Sequence, residues 1–324
     1  MAARVRVGIV GVGSMGANHA RVYSMLRTAD LVGVVDPDAA ARDRIASGFG
    51  VQAFAHHRDL IGKVDAVSVA TPTALHVPIA LDLLAAGVHV LVEKPISLDL
   101  DDAWGLTAAA ERRGLVLQVG HVERFNPAVL EASSIVASER VLAITARRLS
   151  PPTPRVHEDV VLDLMIHDID IALSIARSRV RSIGALGATD ERGELEIVMA
   201  HLGFENGILA DLIASKVTQQ RVRDLELTTD RSLVVVNYRQ RDLSVYRNAR
   251  VDPVGTTDQQ RYRQEAVIEK PIVPTSEPLY LELEHFLDCV RGLAPRLHPR
   301  EAIEALDIAM RVRAAARSVA AEPA

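Results

Sequence analysis

Lys94 is one of only four lysines in a chain that otherwise carries its positive charge on arginine, and it closes a β-branched apolar run as Glu93-Lys94-Pro95. Arginine does not release its proton in a protein, whereas lysine can be tuned towards neutrality, so proton transfer is the chemistry that would retain a lysine here. The tripeptide recurs as Glu269-Lys270-Pro271 in a loop-like stretch, so position rather than composition distinguishes Lys94. A second reactive pair, Asp163 and His167, lies within Leu162-Asp163-Leu164-Met165-Ile166-His167-Asp168-Ile169-Asp170. Helical spacing puts the two on one face, where the carboxylate can orient and polarise the imidazole. Asp170 and Ser174 extend them into a narrow polar stripe, which would equally suit the solvent face of a surface helix. Lysine, histidine and carboxylate are the groups that oxidation of a secondary alcohol needs beside a hydride acceptor: a base for the hydroxyl proton and a means of stabilising the oxygen. No second histidine stands at helical spacing from His167, so no metal site is expected.

The hydride acceptor has a place of its own. Gly11-Val12-Gly13-Ser14-Met15-Gly16 follows the first strand-like run and precedes a helical one, where glycines allow a tight turn and close approach of backbone to a pyrophosphate. Asp36 ends the next strand about 20 residues on, where a carboxylate accepts from ribose hydroxyls. A 2′-phosphate would be repelled there, and Pro37-Asp38 adds no cation, so NAD is expected rather than NADP. Thr71, Pro72 and Thr73, with His76 beginning the following helix, are further candidates for cofactor contact, as are Glu93 and Lys94, although Thr73 would serve equally as a helix cap.

These groups need a frame. Val5 to Val10, Leu31 to Val35, Ala66 to Val69, His89 to Val92 and Leu115 to Val119 read as buried strands alternating with amphipathic helices, the pattern of a doubly wound parallel sheet. Asp99 reads as a helix N-cap, and Gly87 and Gly114 as helix stops. The rhythm changes near Gly120, which divides the chain into a Rossmann domain over 1–120 and a substrate and oligomerisation domain over 121–324. The second part is expected to be α+β: Leu195 to Phe204, Ile208 to Ser215, Leu225 to Thr229 and Leu233 to Tyr238 suggest an open, mostly antiparallel sheet, closed by helices at Leu279 to Val290 and Glu301 to Val319. Between them, Arg124 and Asn126 could line a cleft or act as an ion-pair partner and the cap before Pro127. With 37 basic and 42 acidic residues interspersed, no basic stripe offers itself to nucleic acid. No apolar run approaches the length that crosses a bilayer, and the single Cys289 suits a reducing cytoplasm, so neither export nor membrane insertion is expected.

The order Gly11-x-Gly13-x-x-Gly16, Asp36, Ala70-Thr71-Pro72, Glu93-Lys94-Pro95 and Asp163-x-x-x-His167 resembles the Gfo/Idh/MocA oxidoreductases over essentially the whole chain. The resemblance implies a Rossmann domain followed by an open sheet that carries the substrate site and mediates homodimer or homotetramer formation. It also implies a cis bond at Lys94-Pro95 and a reacting carbon surrounded by Lys94, Asp163 and His167, with histidine or lysine as proton acceptor. More narrowly, the segments 120–127 and 161–170 resemble the family's UDP-N-acetylglucosamine 3-dehydrogenases, which make a 3-keto sugar nucleotide ahead of transamination for lipid A. The glycine run frequent before the Asp-to-His motif is replaced here by His157-Glu158-Asp159-Val160. Lys94, His167, Arg124, Asn126 and Arg155 are the expected substrate contacts, and Arg147, Arg148 and Arg155 could supply cations to a diphosphate. An inositol or free sugar is the alternative substrate, and a non-catalytic NAD sensor the alternative role.

Overall fold

The computed structural model describes residues 4–152, 159–254 and 261–320. It resolves into two compact units, Met1–Phe125 with Ser276–Asp307, and Asn126–Thr275 with Ile308–Ala324.

The first unit is built on six strands: β1 (Val5–Val10), β2 (Ala29–Val35), β3 (Gln52–Phe54), β4 (Ala66–Val69), β5 (His89–Glu93) and β6 (Leu117–Gly120). They form one parallel sheet in the order β3-β2-β1-β4-β5-β6. Strand order reverses at β1, so the crevice beyond the carboxyl ends of β1 and β4 is where such a sheet receives a ligand. The connecting helices are α1 (Ser14–Met25), α2 (Ala39–Phe49), α3 (His76–Ala85) and α4 (Leu100–Arg113). Short polar side chains start two of them: Asp38 accepts from Ala40 N at 2.9 Å and Asp99 from Asp102 N at 3.0 Å, filling donors that have no partner within the helix. β3 has three residues with no buried position, too short and too exposed for hydrophobic periodicity to reveal.

The second unit contains α5 (Pro127–Val136), capped by Asn126 with Pro127 in its first turn, and α6 (Ile166–Ala176). Its strands are β7 (Val141–Leu149), β8 (Val180–Thr189), β9 (Leu195–Phe204), β10 (Leu209–Ser215), β11 (Val222–Thr229), β12 (Ser232–Asn237), β13 (Asp242–Val254) and β14 (Arg261–Glu269). The sheet order is β14-β13-β12-β11-β7-β10-β9-β8, and every pairing is antiparallel except that of β7 with β10. Alternation sorts its faces: Ala210, Leu212 and Ala214 of β10 are buried, while Leu209 and Asp211 are exposed. α5 and α6 cover the buried face, and the other presents Leu186 and Met199 as a cross-strand pair, both about half exposed.

The division departs from a single cut near Gly120. The helix α7 (Pro278–Val290) belongs to the first unit, as does the start of α8 (Pro299–Ala320). The physical reason is the apolar stripe of α7: Leu279, Leu283, Phe286 and Leu287 recur at helical spacing and join Val5, Val7, Ile9, Tyr23 and Leu91 in one buried cluster. A late segment thus completes the core of an early one. Phe286→Ala is expected to destabilise the first unit by about 3–5 kcal/mol, the usual cost of a large buried ring. Urea unfolding followed by the fluorescence of Trp104, the single tryptophan and part of α4 in the first unit, would measure it, and a loss below about 1 kcal/mol would show that α7 is dispensable to that core.

Candidate active site

The candidate cofactor groups of the first unit share one edge of its sheet. Gly11 leaves β1 and donates to Val35 O at 2.8 Å, and Gly13, Ser14 and Met15 are exposed at the start of α1. Gly16 must be glycine, since a Cβ there would stand 1.8 Å from Gly11 O. Gly13 differs: a Cβ would meet nothing within 4 Å, which leaves the space over the helix N-terminus open to a phosphate. Asp36, at the end of β2, takes hydrogen bonds from Val12 N and Asp38 N, both 2.9 Å. Arg42 of α2, absent from the sequence argument, reaches back to Asp36 O and Pro37 O at 3.2 Å each, so a cation does stand near the ribose end.

A cavity of about 430 Å³ adjoins the glycine loop, lined by Gly11, Val35, Pro37, His56, Leu75 and Ile79 among others. Mostly apolar walls with a few polar groups suit a flat heteroaromatic ring. The Thr71 hydroxyl, buried after β4, has no hydrogen-bond partner among the described residues, as expected of a group that waits for a ligand. Glycine cradle, ribose carboxylate, cavity and orphan hydroxyl together fit NAD.

Glu93 and Lys94 end β5, and the Lys94–Pro95 bond is cis, as the resemblance implies. Glu93 is buried and bonded to Nε2 of His19 at 3.0 Å; it also accepts from Lys94 N at 3.3 Å. Burial alone would raise its proton affinity, but the His19 hydrogen bond and charge, with Lys94 and His76, outweigh that and hold the carboxyl below its usual range. His76 bonds to Pro95 O at 2.9 Å and to Thr71 O at 2.8 Å, joining the loops after β4 and β5. His19 was invisible to sequence reasoning: nothing in the spacing of α1 ties it to a strand end 74 residues away.

The second unit holds the other pair. Asp163 lies in a π-helical turn, Val161–Met165, that runs into α6, and His167 sits in the first turn of α6. A π-turn inside a helix re-aims side chains and is frequent at functional sites. Both side chains are half-buried, whereas Asp168 and Asp170 are buried, so the polar stripe is not a solvent face. Lys216, directly after β10, places Nζ 3.4 Å from Asp163 Oδ2, and its backbone N–H donates to Glu196 O. Its scarcity as a lysine was the only signal that could have found it.

The arginines expected at a diphosphate are committed elsewhere. Arg147 forks onto Asp224 at 3.1 and 2.6 Å on the exposed face of β7, and Arg148, pointing to the opposite face, is 1% exposed and bidentate to Asp168 at 2.9 and 2.8 Å. Strand alternation sends the two neighbours to opposite sides, which the motif alone did not reveal. Arg155 lies outside the described residues. Asn126 caps α5, accepting from Ala128 N at 3.1 Å, and Arg124 pairs with Glu301 at 3.3 Å within the first unit.

Comparison with known proteins settles the lineage. Residues 5–121 match the model of the oxidoreductase family with NAD-binding Rossmann fold, and residues 140–235 match the GFO/IDH/MocA C-terminal domain. The chain is 32% identical over 297 residues, 90% of each chain, to the UDP-N-acetylglucosamine 3-dehydrogenase of Acidithiobacillus ferrooxidans. It belongs to the Gfo/Idh/MocA oxidoreductase family. A solved structure of that Acidithiobacillus enzyme superposes with a TM-score of 0.89 at 29% identity, covering 99% of this chain and all of the other. The inositol 2-dehydrogenase of Corynebacterium glutamicum is 30% identical over 226 residues, 65% of this chain and 67% of that one. A Lactobacillus casei scyllo-inositol dehydrogenase with bound NAD(H) shares the fold, with a TM-score of 0.79 at 20% identity over 96% of both chains. The chain is thus an NAD-binding dehydrogenase of this family.

Two outcomes follow from the geometry. A carboxyl held below its usual value of about 4.3 stabilises the fold fully above that value and loses its contribution as pH falls through the lowered one. The Tm advantage of wild type over Glu93→Gln should therefore shrink as pH drops from about 5 towards 3, and a gap constant with pH would exclude an ionised Glu93 as its source. Lys216→Met should lower kcat/KM roughly tenfold, about 1.4 kcal/mol, with NAD affinity unchanged, while Lys270→Met, an exposed lysine 3.8 Å from Asp242, should change neither.

Proposed function

We propose that this enzyme oxidises a secondary hydroxyl of a sugar nucleotide to the keto sugar, with UDP-N-acetylglucosamine oxidised at C3. The observation that carries the reading is the match to the Acidithiobacillus enzyme along 90% of both chains, together with the presence here of Lys94, Asp163 and His167. NAD, when bound, accepts the hydride from the carbinol carbon. The chain's own residues handle the rest. His167 takes the hydroxyl proton as general base, and Asp163 holds the imidazole in the orientation that leaves its acceptor nitrogen towards the substrate. Asp163 carries this out beside Lys216, which keeps the carboxylate compensated. The Lys94 amine stabilises negative charge on the oxygen as the C–H bond breaks and the carbonyl forms. Glycine loop, Asp36, Thr71, Pro72 and Thr73 hold the cofactor, with Glu93 and His76 setting the turn that carries Lys94. Arg124, Asn126 and Arg155 complete the substrate contacts.

The enzyme is proposed to work in the cytoplasm as a homodimer or homotetramer, and the half-exposed Leu186 and Met199 on the open sheet face are the surface that supports self-association. Among the described residues no helix is long and apolar enough to cross a membrane. One observation favours an inositol or small sugar instead: Arg147 and Arg148 are spent on Asp224 and Asp168, so neither awaits a diphosphate.

NADH formation from NAD, followed with UDP-N-acetylglucosamine, UDP-glucose and myo-inositol in parallel, separates the two. Turnover of UDP-N-acetylglucosamine alone is the expected result; turnover of myo-inositol alone would overturn the sugar-nucleotide assignment. His167→Asn and Lys94→Ala should each lower kcat by about 10²–10⁴ with NAD still bound, the range that a lost acid-base group costs.

A further inference from the structure

His76 begins α3 and is 1% exposed. Its Nδ1 stands 2.9 Å from Pro95 O and its Nε2 2.8 Å from Thr71 O. A peptide carbonyl oxygen only accepts hydrogen bonds, so each of these short contacts calls for an N–H on the ring. A neutral imidazole has one N–H and one bare lone pair, and only the imidazolium has two N–H groups. With a neutral ring, one contact would set a nitrogen lone pair against an oxygen lone pair in a place closed to water.

We propose that His76 is held as an imidazolium, a buried cation that clamps the loop after β4 to the turn after β5 and thereby positions Lys94. A buried cation needs a counter-charge. Glu93 supplies it: the carboxylate is buried at the end of β5, and the charge of His76 is among the influences that keep it ionised. Glu93 from β5 meets His76 in this cluster together with Lys94 just beyond it and His19 from α1. Two of the three carry or share positive charge, and the N-terminus of α3 adds more, so the site would expel a second proton from His76 were it not for the two carbonyls and Glu93. Both carbonyls belong to loops that frame the cofactor edge, Thr71 on one side and Pro95, next to Lys94, on the other. The clamp lets neither loop shift without the other. The charge state rests on this geometry alone, while its consequence for turnover rests on the reading of Lys94 as a group at the reacting carbon.

Long-range ¹H–¹⁵N correlation of the histidine rings in the whole protein tests the charge directly. At about pH 8, well above the value near 6.5 at which an ordinary histidine loses its proton, one ring should remain protonated at both nitrogens and should vanish in His76→Gln. A wild-type spectrum in which no ring carries two protons at that pH overturns the proposal, and it does so even if the variant fails to fold. The positioning role is tested by a double-mutant cycle on kcat. His76→Gln should lower kcat at least tenfold, and adding it to Lys94→Ala should cost little more, because the clamp acts through Lys94. Additive losses would overturn that role and leave His76 a structural staple. The spectrum needs no substrate, so an enzyme that ignores UDP-N-acetylglucosamine would refute the functional reading without touching the imidazolium.

Discussion

A carboxylate buried at Glu93 is the constraint around which the cofactor edge of the first unit is arranged. An ionised carboxyl out of water must be matched by donors and positive charge, and the chain provides them from separate elements: His19 from α1, the Lys94 N–H from the turn itself, and the charge of His76 from α3. The neighbouring strand must also stand clear, and it does so with Gly120, where a Cβ would meet the Glu93 carboxyl at 3.0 Å. One buried charge therefore fixes the relative placement of α1, β5, β6 and the Lys94 turn. Removing any one partner would leave the buried carboxylate less compensated, which ties α1, α3 and the Lys94 turn to the same charge.

The second unit solves a similar problem with a different pair. Arg148 is almost fully buried, forks onto Asp168 and lies over the Tyr238 ring at 5.2 Å. A buried ion pair of this kind contributes little net stability compared with an apolar pair of the same volume, yet breaking it costs about 3–5 kcal/mol. Its effect is on register: Asp168 is adjacent to His167, so the fork on β7 fixes the rotation of α6 that presents the imidazole. The π-helical turn before α6 then sets Asp163 separately, against Lys216 beyond the end of β10. The carboxylate and the imidazole that the sequence places four residues apart are thus anchored by different strands.

What was legible in the sequence is what local physics determines. β1, β4 and β9 fall where β-branched runs and alternation put them, Asp99 and Asn126 cap the helices they precede, and the glycine loop lies where strand meets helix. What was not legible depends on partners distant along the chain. α7 joins the first unit because its stripe completes a core begun at Val5, and no linker composition announces that return. Arg147 and Arg148 read alike as free cations and differ only because a strand sends neighbours to opposite faces. Asp170 read as part of a polar stripe and is buried, since α6 is enclosed on more sides than a surface helix.

The four lysines show how far residue type alone can carry an argument. Lys63 bonds to the carbonyl of Asp59 and lies over the Phe54 ring, and Lys270 is two-thirds exposed beside Asp242, so both are ordinary surface residues that arginine could replace. Lys94 and Lys216 are the two that the fold encloses, one on the cofactor edge of the first unit and one on the Asp163 carboxylate of the second. A compact ammonium with a flexible stem fits beside a half-buried carboxylate where a planar guanidinium would need room for its fork. Unlike the guanidinium, a lysine amine can also give and take a proton. Scarcity thus marked a set of positions, and partial burial beside a carboxylate or a cofactor edge divides that set into enclosed and surface lysines.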